Sequence, residues 1–235
     1  TSVVNQTSVA MHKSDKNLPT DSRRARSVAT KNALMRAAET LVARDGIENL
    51  SKKAIVAIAN QKNESALQYH FKNLTGLLRA VHAQRGEQIQ AKRAANLAKT
   101  LKISPDPSLR ALCILLVEPT FLLARADVEF RRYVKAFGHE LAISESSALE
   151  QVAASGHSCG GFLRKALPNL SDGDFRRRME ATIRLCSASM YHQARQKNAF
   201  RGHQSDLFLH HLIDALVGLL SAPVSVETKA LEQDP

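Results

Sequence analysis

The chain has 235 residues and a mass of 25.8 kDa, with 44% hydrophobic and 23% charged residues. That is enough length and apolar content for one or two packed domains, and it excludes disorder throughout. The longest unbroken apolar run, 111–117, has seven residues, far short of the about 18 to 20 that a bilayer span requires. The formal net charge is +11, and all of the excess lies in residues 1–102, which hold 18 bases and 7 acids; the remaining 133 residues carry 15 of each. This asymmetry points to a polyanion-binding N-terminal module joined to a neutral body with another task. The first residues, among them Asn5, Gln6 and Ser8, lack the apolar core of a secretory signal, so a cytoplasmic protein is expected. Cys113, Cys159 and Cys186 are odd in number and far apart, which suits reduced thiols and neither a disulfide framework nor a zinc motif.

Residues 1–26 are polar, contain Pro19 and have no period, so they read as a mobile basic arm ending in Arg23, Arg24 and Arg26. From Ser27 the pattern is helical, with Leu34, Ala38, Leu41 and Val42 on one face and Gly46 as its end. Ser51 is placed to cap a second helix in which Ile55, Ile58 and Ala59 share a face. Lys52 and Lys53 occupy its first turn, where they oppose the helix dipole and make sense beside an anion. After the short polar segment 60–63, Asn63 can cap a third helix with Ala66, Leu67 and Phe71. Asn73 then opens a fourth, carrying Leu77, Leu78, Val81 and Ile89 toward Lys102, a connecting rod.

The prolines and polar residues of 104–108 mark the clearest break after the arm. Beyond it the spacing predicts helices only. Residues 109–124 are strongly apolar, with a kink expected at Pro119. Residues 127–141 carry Phe130, Tyr133, Val134 and Phe137 at helical spacing, and 145–167, interrupted by Gly156, Gly160 and Gly161, reads as a broken helix. Ser171 with Asp174 forms a capping box before Phe175, Met179, Ile183 and Met190, and small residues fill 186–189. The last helix, 205–221, is apolar over more width than one core contact uses, through Leu209, Leu212, Ile213, Leu216, Val217, Leu219 and Leu220. Either it is a deeply buried core helix, or the two C-terminal helices pack on a second copy as a four-helix bundle.

The run 31–81, with AAETLVARDGIENLS, then IVAIANQKNESALQYHFKN, then LTGLLRAV, resembles the DNA-binding domain of the tetracycline-repressor (TetR) family of bacterial regulators. The likeness covers about 50 residues and is carried by SALQYHF at 65–71, the turn at Gly46 and the cap at Ser51. Four positions depart from the family's pattern. Gln61 stands where a turn glycine is usual, Lys62 where a small apolar residue is usual, Leu74 where a phosphate-binding lysine is common, and Gln68, with Tyr69 next to it, where a tyrosine is usual early in the recognition helix. The resemblance implies an all-α protein: a mobile basic arm (1–26), a helix-turn-helix domain (27–75), a helical regulatory and dimerisation domain (76–222) and a C-terminal tail (223–235).

On this reading Leu67 and Phe71 face inward, and Glu64, Ser65, Gln68 and Tyr69 face the major groove. There Gln68 can pair with adenine and Glu64 can accept from a cytosine amine. Lys52, Lys53, Lys62, Lys72 and the arm arginines hold phosphates and the register, and Asn63 belongs to the same DNA-binding set. Packing against the first helix is the plainer account of Tyr69 and His70, and the favoured one for His70. The expected partners are a palindromic duplex, a second copy of the chain and a small inducer; no metal and no cofactor are expected. For the inducer the candidates are Phe121, Tyr133, Phe137, His139, Phe162 and Met190, each equally at home in an ordinary core. No zinc helix motif, nucleophile elbow or phosphate loop is present among 139–140, 157–159 or 210–211, so an enzyme is not expected. A basic interaction module without base preference would share the same charge.

Overall fold

The computed structural model describes residues 18–143 and 158–233, and among these the secondary structure is entirely helical. The N-terminal module consists of α1 (Leu18–Asp45), a short 3-10 turn (Ile47–Asn49), α2 (Lys52–Ile58) and α3 (Ser65–Phe71). Helix α4 (Leu74–Ile103) leads out of it into a body of α5 (Leu109–Ala126), α6 (Val128–Ile143), α7 (Cys159–Ala166), α8 (Asp172–Ala194), α9 (Gly202–Ser221) and α10 (Val226–Gln233). No helix among the described residues is long and apolar enough to cross a membrane.

Most ends fall where the caps predict. Ser51 Oγ accepts from the Ala54 N–H at 3.2 Å, Asn73 Oδ1 from the Gly76 N–H at 2.8 Å, and Ser171 Oγ from the Asp174 N–H at 3.0 Å. Gly46 leaves α1 with φ +89° while its N–H still reaches the Val42 carbonyl, an end that favours glycine.

Four expectations are corrected. Helix α1 begins at Leu18 rather than Ser27, so residues 18–26 of the expected arm are helical. Pro19 sits in the first turn, where its missing N–H has no helical acceptor to lose, so it does not break the pattern. Residues 1–17 lie outside the described residues. Ile58 is 44% exposed, and Val56 takes its place in the core beside Ile55 and Ala59. The expected tail contains α10, opened by Ser225 Oγ accepting from the Thr228 N–H at 3.2 Å. Within 145–167, Gly160 and Gly161 lie inside α7; Gly156 lies outside the described residues.

In the body, α6 packs along α8, and this is the most extensive helix pair in the fold. The small residues permit it. A Cβ on Gly138 would stand 2.8 Å from Tyr191 Cβ and 3.3 Å from the Ser187 carbonyl oxygen, so glycine is what lets the two backbones approach. Of the apolar residues on α9, Leu209, Leu212, Ile213, Leu216 and Leu220 are already buried within the one chain, while Val217 and Leu219 are half-buried.

Two arginines on the α4 rod bind the module to the body. Arg85 makes a bidentate pair with Glu39 of α1, Nε donating at 2.7 Å and Nη2 at 2.8 Å, and its guanidinium stands 5.6 Å from the Phe130 ring centroid on α6. Arg93 answers the proline of α5. Pro119 has no N–H to give the Leu115 carbonyl four residues back, and Arg93 Nε donates to that oxygen at 3.0 Å while Nη2 reaches the Leu116 carbonyl at 3.3 Å. The acceptor that the proline frees is thus satisfied from a neighbouring helix.

His82 lies one turn before Arg85 on α4, edge-on to Phe137 at 4.8 Å and with Nδ1 3.3 Å from the Tyr133 hydroxyl. Burial pushes its pKa below the ordinary 6.5, so the folded state prefers the neutral ring and the unfolded chain binds the proton more readily. Its stabilising effect is complete above pH 6.5 and is lost as pH falls through that value toward the depressed folded one. His82→Phe is expected to flatten the stability-against-pH curve over that interval, as read by urea denaturation between pH 5 and 7; an unchanged slope would show that the ring is hydrated.

The three cysteines are free. Burial raises the thiol pKa values to about 12 for Cys113, about 11 for Cys159 and about 12 for Cys186, which leaves unreactive thiols at neutral pH.

Candidate nucleic-acid interface

The second and third helices form a compact pair joined by a tight turn. The one left-handed residue in it is Asn60, with φ +53°, one position before the glutamine that stands in the usual glycine place. Asparagine tolerates this conformation better than most residues, so Gln61 needs no positive φ; its side-chain amide instead donates to the Ala59 carbonyl at 3.1 Å. Asn63 caps through an Asx turn, Oδ1 accepting from the Ser65 N–H at 3.0 Å. At its other end α3 is closed by Lys72 with φ +67°, and α4 begins so close behind that a Cβ on Gly76 would stand 2.0 Å from the Phe71 carbonyl oxygen. The glycine at 76 therefore fixes how α3 leaves for the rod.

Leu67 and Phe71 are buried beneath α3, as their i, i+4 spacing predicts, and Ser65, Gln68 and Tyr69 are exposed above it. Tyr69 is 80% exposed, so it does not pack against α1. His70 is half-buried and edge-on to Tyr69 at 4.9 Å; burial, then the nearby Lys31 charge, lowers its pKa and keeps it neutral at physiological pH. Around this face Lys52, Lys53, Lys62, Asn63, Glu64 and Lys72 are all exposed.

The early start of α1 adds a wall that the sequence reading did not foresee. Arg23, Arg26, Ser27 and Thr30 of α1 face Tyr69 and His70 across a cleft of about 390 Å³. A helix in place of an arm sets Arg23 and Arg26 on a regular backbone beside α3, and a preorganised cation loses less entropy on meeting an anion than a tethered one. The placing of Arg23 and Arg26 on this wall carried no sequence signal, because nothing in the pattern before residue 27 showed the helix to be continuous.

The inducer candidates do not gather into one chamber. Phe121 packs with Phe200 and Phe208. Tyr133 and Phe137 form a second aromatic group with His82 and Phe130. His139 is exposed and 5.7 Å from the Tyr191 ring, Phe162 is half-buried, and Met190 is buried. None of the six lines the cleft beside α3 or a second one between α1, α6 and α8. Among the described residues no group of three or more His, Cys, Asp or Glu is placed to hold a metal ion.

No family model matches the chain. No curated protein matches it. Among solved structures, the chain is similar in fold to a provisionally assigned transcriptional regulator from Streptomyces coelicolor A3(2), at 16% identity and a TM-score of 0.44, over 83% of this chain and 99% of that one.

Proposed function

We propose that this chain is a regulator of transcription, not an enzyme, that reads duplex DNA through α3. The observation that carries the reading is the exposed polar face of α3, with Gln68 and Tyr69 outward over buried Leu67 and Phe71 and the α1 arginines Arg23 and Arg26 across a cleft from Tyr69, while Lys52 and Lys53 are exposed at the start of α2. Side chains that specify and side chains that position are thereby separated on the same surface. The resemblance of 31–81 to the TetR family supports the finer reading: a cytoplasmic repressor released by a small inducer, with two copies pairing through α8 and α9. The outward strip of α9, with Leu207 at 42% exposure, then His211, Ala215 and Gly218, is the surface on which the partner's helices would lie. Pairing places two α3 helices about 34 to 36 Å apart, one DNA turn.

Enrichment of duplexes from a random pool tests the reading, with sedimentation to read the oligomeric state. A palindromic motif bound by a dimer supports it; a monomer, or a pool that stays random, would make this a basic surface without base preference. On the enriched duplex, Gln68→Ala is expected to relax preference at one position of each half-site, about 1 to 3 kcal/mol of discrimination. Lys53→Ala should instead weaken every duplex alike and reduce the slope of log K against log salt by about 1 per half-site. Identical effects of the two on all duplexes would refute the assigned roles.

A further inference from the structure

A second basic cleft, of about 300 Å³, lies where the module meets the body, between the C-terminal half of α1, the start of α6 and the end of α8. Its walls include Arg44 and Thr40 from α1, and Val128, Arg131, Arg132 and Lys135 from α6. The four cations are unequally engaged. Arg44 is held by Asp45 through two bonds of 2.7 Å, and Arg131 spends Nε and Nη2 on the carbonyls of Ala124 and Arg125. Arg132 and Lys135, one turn apart on the same face of α6, have no acidic partner among the described residues. The nearby acids are taken: Glu39 by Arg85, Asp127 toward Arg85, and Glu129 toward Arg36 at 3.8 Å. A concave site whose lining holds four cations and no acid concentrates anions, and its size matches a small ligand rather than a macromolecule.

We infer that this cleft binds a small, multiply charged anion of the phosphate-ester or pyrophosphate type, gripped by Arg132 and Lys135 with Arg44 on the opposite wall. It is distinct from the face proposed to bind DNA. Arg26, beside α3, and Arg44 are 18 residues apart on one helix, or roughly 27 Å at 1.5 Å per residue. An anion held here bridges α1 to α6 across the seam, so it favours one setting of the module on the body, and any differential affinity between settings shifts their populations.

The test is calorimetric titration of the full-length protein with inorganic pyrophosphate, at constant ionic strength and without divalent cations. Three proteins are compared: the native chain, Arg132→Ala/Lys135→Ala, and Lys52→Ala/Lys53→Ala. Saturable binding of one anion per chain is expected, weakened about tenfold or more for each α6 cation removed and unchanged by the α2 pair. Because Arg132 and Lys135 have no described partner, the double variant should fold normally, which circular dichroism checks, and Lys135→Glu gives a second, single-site reading. Absence of saturable binding, or loss of binding in the α2 variant alone, overturns the inference. Neither outcome bears on whether α3 reads DNA, since no duplex is present.

Discussion

Replacing Glu39 by alanine is expected to lower the free energy of unfolding by about 3 to 5 kcal/mol, the cost of stranding one member of a buried ion pair. The Arg85 and Glu39 side chains are only 6% and 3% exposed. Burial, the largest single influence, would lower the Arg85 pKa, but the hydrogen bonds to Glu39 together with the charges of Glu39, Asp127 and Glu129 outweigh it, and the group sits above its usual value. In the variant Arg85 would keep Gln88 Oε1 at 3.1 Å, the face of Phe130 and a carboxylate oxygen of Asp127 at 4.0 Å, none of which replaces a fork of two charge-assisted bonds. The loss concerns function as well as stability, because this pair ties α1 of the proposed DNA-binding module to the α4 rod. Urea denaturation measures it, and a double-mutant cycle with Arg85→Met separates the coupling from the cost of the stranded charge. A loss below about 1 kcal/mol, the range of exposed pairs, would mean that water reaches the site.

Phe121→Ala is expected to cost a similar amount, about 3 to 5 kcal/mol. The ring is fully buried, edge-on to Phe200 at 5.5 Å, stacked on Phe208 at 6.4 Å and covered by the Arg125 guanidinium 4.6 Å from its centroid. It also supports a strained corner. Phe200 has φ +61°, a conformation that costs a bulky residue about 1 to 2 kcal/mol. Arg125 Nε, donating to the Phe200 carbonyl at 2.7 Å, helps to hold it there. Phe121 therefore anchors the turn from α8 to α9, the two helices proposed to pair. The measurement also decides between the two expectations for this residue. A large loss of stability identifies a core side chain, whereas a stable variant with an altered response to ligand would identify an inducer contact.

The local reading of the sequence succeeded where a residue acts on its immediate neighbours. Ser51, Asn73 and Ser171 cap the helices they were expected to cap, and Gly46 ends α1, because a cap is a contact within three residues. Reading failed at the α1 start because composition alone suggested an arm, whereas Pro19 is harmless in a first turn. It failed differently at Gln61, where comparison with a usual glycine drew attention to the wrong residue and Asn60 takes the left-handed position. For the candidate interface, the outward set on α3 followed from i, i+4 spacing and the lysines from their charge, while the cleft formed by Arg23, Arg26, Tyr69 and His70 followed from neither.

By itself, then, the order of residues determined the helices, most of their ends, the basic N-terminal third and the polar face of α3. These depend on separations of a few residues or on a sum of charges. Only the tertiary structure decided that Arg85 meets Glu39, that Arg93 serves the carbonyls ahead of Pro119, that Gly138 lets α6 lie against α8, and that four cations converge at the seam of α1 and α6. Those partners are 22 to 91 positions apart in most cases, and a helical pattern specifies which face is apolar but not which neighbour covers it.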